Sequence, residues 1–130
     1  TDISTAFRTG RAALSAHNTT DALAQRDIII AEVKQMQAGM AIHYLNDVKS
    51  KVSSGADQSA INHSMSEALA FIFGIQFISE TPDMSSADVM ALVGQIEPAV
   101  AGFTMSLTSI NAVIDQIAAA TGLESVKDLL

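Results

Sequence analysis

The sequence predicts an all-α fold, an up-and-down bundle of about five helices, two of them long. Three observations predict it. Apolar residues recur at three- and four-residue spacing along most of the chain. Alanine, the best helix former and a poor strand former, is abundant, whereas aromatic residues make up 5% and tryptophan is absent. The polar segments between apolar stripes are short, which favours antiparallel neighbours. A length of 130 residues and 48% hydrophobic content suit a single domain with a core of its own. The chain has no cysteine, so neither disulfides nor thiolate chemistry enter.

The first helix is expected from about Ile3 to Ala16, with Asp2 or Thr1 as its cap. Ile3, Phe7, Leu14 and His17 share its helical spacing, and Gly10 weakens it while permitting a close contact. His17 to Thr20 reads as a polar turn, with His17 at a helix end where a cation helps the dipole. A long second helix follows from about Asp21 to Val52, its stripe running through Ile30, Val33, Met40, Ala41, Leu45, Val48 and Val52. Gly55 is placed to end it in a left-handed conformation.

The third helix is expected from about Asp57 to Ile78, on a stripe of Ile61, Met65, Ala68, Leu69, Ile72 and Ile75. From Ala68 onward Phe71, Phe73 and Phe77 make it apolar on every side, the pattern of a buried helix. Ser79 to Ser86 reads as a loop turning at Thr81, Pro82 and Asp83. Ser85 or Ser86 caps a fourth helix that carries Val89, Leu92, Val93 and Ile96 and stops before Pro98. A fifth starts at about Pro98 or Thr104 and runs through Leu107, Ile110, Val113, Ile114 and Ile117 to Thr121, with Gly122 as terminator. Val126 to Leu130 is too short to assign.

The formal net charge is −7, and no Lys or Arg falls between Lys51 and Lys127. Such a surface repels a phosphate backbone and an anionic membrane, so no nucleic-acid partner is expected. The longest apolar stretch, Ala68 to Ile75, is far short of the ~20 residues a bilayer demands, so direct membrane insertion is not expected either.

Phosphate-loop, Gly-x-Ser-x-Gly and His-Glu-x-x-His patterns are missing, as is the Glu-x-x-His pattern of di-iron bundles. Two histidine–carboxylate spacings remain. His63 and Glu67 are four apart on the third helix, and His43 and Asp47 are four apart on the second. Each pair can meet across one turn, and both levels lie at similar distances from the hairpin turn, so a divalent metal is conceivable there. Helical angles oppose a shared site, because His63 points nearly opposite the Ile61–Ile72 stripe and His43 lies off the centre of its own. Surface hydrogen bonding is therefore the favoured role for both histidines; no catalytic residue and no cofactor are assigned. The six methionines read as core fillers.

Thr9 to Ala13, Arg26 to Ile29, Ala41 to Asn46 and His63 to Gly74 together resemble a bacterial family of unknown function, with cell-envelope members of imelysin-like helical fold. Ile114 to Leu123 resembles the end of that family's domain. The resemblance implies a periplasmic or outer-membrane-anchored, lipoprotein-like setting and a link to iron acquisition. It also implies that the chain corresponds to the C-terminal half of a larger helical protein, without its N-terminal helical segment. The expected partners are that segment, another protein or a second copy. The imelysin hallmark Gly-x-His-x-x-Glu is not kept: His63 precedes Glu67 by four residues, without the leading glycine. The expectation is a non-enzymatic binding module with its surface around the second and third helices. Its alternatives are an imelysin-type peptidase completed by an absent segment, and a purely structural half-domain.

Overall fold

A computed structural model describes residues 2–100 and 105–130. Among these are five α-helices and no strand, as the sequence predicts: α1 (Ile3–Ser15), α2 (Thr19–Ser54), α3 (Gln58–Gly74), α4 (Ser86–Val100) and α5 (Leu107–Thr121). Short 3-10 turns follow α3 (Ile75–Phe77) and α5 (Lys127–Leu129).

Side chains close the helix starts. Asp2, Asn18, Asp57, Ser85 and Ser106 each accept a hydrogen bond from a backbone N–H two or three residues on, relieving one of the donors a helix leaves unpaired. The ends of α2 and α5 are left-handed glycines, Gly55 at φ 70° and Gly122 at φ 73°. At the end of α1 the same position is taken by His17 at φ 56°. Its N–H bonds the Leu14 carbonyl, and the Asn18 N–H bonds the Ala13 carbonyl at 2.9 Å, completing a Schellman motif.

α2 is the central element. α3 and α5 pack on its C-terminal half, and α4 packs on α3. Ala38, Ala41, Ile42, Leu45 and Val48 of α2 join Met65, Ala68 and Ile72 of α3, Val89, Leu92 and Ile96 of α4 and Ile110, Val113, Ile114 and Ile117 of α5 in one core. Each of these is essentially sealed from solvent. The last residues are tied back to α2, where Asn46 Nδ2 donates to the carbonyls of Lys127 (2.7 Å) and Leu130 (3.2 Å).

Four expectations from the sequence need correction. α3 ends at Gly74 rather than Ile78. Gln37 Nε2 on α2 donates to the Phe71 carbonyl at 2.8 Å, and the Ile75 N–H turns to Ile72 instead, so the last turn tightens to 3-10 geometry. A Cβ at position 74 would overlap that Gln37 amide. α4 passes through Pro98 to Val100. The missing proline N–H deprives only the Gly94 carbonyl, and Gly94 is exposed, so water can supply the bond. α5 begins at Leu107, since Ser106 supplies the cap; of the two starts expected, Thr104 lies outside the described residues. Finally, α3 is not buried on every side: Phe73 and Phe77 face solvent, edge to face with ring centroids 5.3 Å apart.

Candidate functional site

The two histidine–carboxylate pairs do not form a common centre. His43 and His63 are both exposed, while Asp47 and Glu67 are partly buried. Among the described residues no three His, Cys, Asp or Glu side chains come close enough together to hold a metal ion. Asp47 turns to a different partner. Its Oδ2 accepts from Lys51 Nζ at 2.8 Å and from Ser64 Oγ at 2.6 Å, and Lys51 Nζ also donates to Ser64 Oγ at 2.6 Å.

This three-way junction bolts α2 to α3 close to their shared turn. The Lys51 ammonium first, and the Ser64 hydroxyl second, hold the Asp47 carboxyl below its usual range against the opposing effect of burial. Ser64 is almost fully buried, so its hydroxyl needs the partners it has. Asp47 and Lys51 stand one helical turn apart, a spacing the sequence displays openly; Ser64 becomes visible only once α3 is docked. With its hydroxyl proton committed to Asp47 and its lone pair to Lys51, Ser64 reads as a structural fastener.

Among the hollows lined by described residues, two are lined by neither His43 nor His63. The first, about 520 Å³, lies between α2 and the loop after α3, lined by Arg26, Asp27, Ile30, Ala31, Lys34, Ser79, Glu80 and Thr81. Its cations are already engaged. Lys34 Nζ donates to the Thr81 carbonyl at 2.6 Å and to Asp83 at 2.9 Å, and Arg26 grips Asp27 at 2.7 Å. Lys34 thereby clasps the loop to α2. Ser79 Oγ is shielded there and makes no hydrogen bond among the described residues.

The second hollow is a groove of about 400 Å³ between α1 and the N-terminal part of α2, with predominantly apolar walls. Ala6, Phe7, Gly10 and Leu14 line it from α1, and Ala22, Ile29 and Ile30 from α2. Small residues let the two backbones approach: a Cβ at Gly10 would stand 3.2 Å from Gln25 Cβ, which is the close contact expected of that glycine. The groove is open because α1 covers little. Only Ala6 and Ala13 of α1 are buried, and α2 buries nothing before Ala38. Phe7 is 60% exposed and Leu14 65%. The apolar stripe of α1, legible as Ile3, Phe7 and Leu14, thus faces outward.

Arg11 and Arg26 flank the groove, and no carboxylate lines it. Arg11 makes no hydrogen bond or ion pair among the described residues. No helix among the described residues is long and apolar enough to cross a membrane.

The model of a family described as "Domain of unknown function (DUF4856)" matches residues 1–124, and the chain belongs to that family. No curated protein and no solved structure matches it.

Proposed function

We propose that this DUF4856 member is a non-enzymatic binding module and that its recognition surface is the groove of the α1–α2 hairpin. The carrying observation is that the apolar stripe of α1 lies in solvent along a formed hollow, beside a core complete without it. Apolar surface concentrated in this way marks a site of association. The surface expected around the second and third helices thereby moves toward the first. The exposed pair of Phe73, on α3, and Phe77, in the 3-10 turn after it, lines neither hollow.

A neutral amphipathic peptide of about 18 residues, with leucines along one helical face and glutamines flanking them, tests this reading. Fluorescence anisotropy should show binding to the wild-type chain that is lost in Phe7→Glu and in Leu14→Glu. Binding unchanged by both substitutions would place the recognition surface elsewhere.

The envelope setting and the link to iron acquisition belong to the same proposal and are supported by the sequence resemblance alone. Fractionation of the source cells tests the first. For the second, iron and zinc are titrated calorimetrically into metal-free protein and into His63→Ala. Binding lost in the variant would give His63 and Glu67 a metal-holding role; equal or absent binding would remove it. An imelysin-type hydrolase gains no support from the geometry, since His63 is exposed and lines neither hollow.

A further inference from the structure

The hairpin differs from the remainder of the chain in charge as well as in burial. Residues 1–34 carry Arg8, Arg11, Arg26 and Lys34 against Asp2, Asp21, Asp27 and Glu32, so the whole net charge of −7 belongs to residues 35–130. Around the groove the balance is positive. Arg11 and Arg26 stand on its walls, and Arg8 on α1 spends its guanidinium on the Ser4 and Thr5 hydroxyls, keeping its charge. Asp27 offsets part of Arg26, which leaves Arg11 as the principal unpaired charge at the rim.

We infer that the groove receives an amphipathic helix whose apolar stripe is flanked by carboxylates. This inference rests on the reading of the groove as the recognition surface. Two antiparallel helices with a hollow between them offer the seat of a third, the packing by which helices bury apolar stripes. The exposed stripe from Ile3 to Leu14 rises over about 16 Å at helical pitch, so three to four turns of partner match it. Charge selects among such helices. Carboxylates beside the stripe would meet Arg11 and Arg26, whereas lysines there would meet like charge. A second copy of the hairpin would bring two arginine-rimmed grooves against each other, so self-association through this face is disfavoured.

The experiment uses the full chain and three peptides of about 18 residues, identical in their leucine stripe and carrying Glu, Gln or Lys beside it. Anisotropy should rank them Glu, Gln, Lys, with at least about a fivefold gap between the extremes at low salt. The gap should close as salt rises to about 0.5 M, and Arg11→Glu with Arg26→Glu should reverse the order. Equal affinities for all three, with binding still lost in Leu14→Glu, would overturn the acidic partner yet keep the groove as recognition surface. Failure of all three to bind would overturn both. Sedimentation of the free chain should show a monomer; a dimer dispersed by Leu14→Glu would overturn the inference in favour of a second copy. Circular dichroism of each variant checks that the helices remain, and since Phe7, Leu14 and both arginines are exposed, their replacement leaves the core intact.

Discussion

The N-terminal hairpin and the four-helix region behind it follow the same local rules and end in opposite states. Both are built of helices with side-chain caps and apolar stripes. In the four-helix region the stripes of α3 and α5 meet the C-terminal half of α2, that of α4 meets α3, and residues from Ala38 to Ala118 share one core. In the hairpin the stripe of α1 packs, among the described helices, chiefly on α2 across small residues, which leaves Phe7 and Leu14 in water. Amphipathicity states that a face must be covered. It does not state that this chain covers it. Where the cover is internal the region gains stability, and where it is missing the stripe stays in solvent, which is the ground for the recognition surface proposed above.

The largest test of that contrast pairs two truncations of one kind. Leu45→Ala, at a position with no solvent exposure, should cost about 2–5 kcal/mol. Leu14→Ala should change stability by no more than about 0.5 kcal/mol. Urea unfolding of both variants checks the pair, and equal losses would dissolve the distinction between the regions.

A smaller effect belongs to the polar junction inside the four-helix region. Asp47→Asn removes the carboxylate that Lys51 and Ser64 share, and should cost about 1–2 kcal/mol at neutral pH, measured by the same unfolding. Its pH dependence sharpens the assignment. The folded-state pKa of Asp47 lies below its ordinary value of 3.8, so its contribution is present above that value and lost as pH falls through the lower one. The advantage of the wild type over Asp47→Asn should therefore shrink on acidification below about pH 4. High salt should reduce it too, because the carboxylate is partly exposed.

The smallest effect lies in the turns. α2 and α5 end in left-handed glycines, whereas α1 ends in left-handed His17, a conformation that strains a residue with a Cβ. His17→Gly should stabilise the hairpin by about 0.5–1 kcal/mol. Slower hydrogen exchange of the α1 amides would register it, and unchanged exchange would mean the turn carries no strain.

The sequence by itself determined the all-α class, the five helices, the glycine ends at Gly55 and Gly122, and nearly all of the core stripes in α3, α4 and α5. These are local properties. Helical period, capping oxygen and left-handed glycine each act within a few residues, so they are legible before any packing is known. The spacing of His43 with Asp47 was equally legible, but a spacing offers candidates without choosing among them. Asp47 has Lys51 one turn ahead and His43 one turn behind, and the docking of α3 decided the choice by bringing the Ser64 hydroxyl between α2 and α3. The end of α3 was likewise set from outside, by the Gln37 amide taking the Phe71 carbonyl. The openness of the α1–α2 groove is tertiary in the fullest sense, because whether a stripe is covered depends on elements far away in sequence. The period places Ile3, Phe7 and Leu14 on one face, and only the assembled chain shows that none of its described helices comes to cover it.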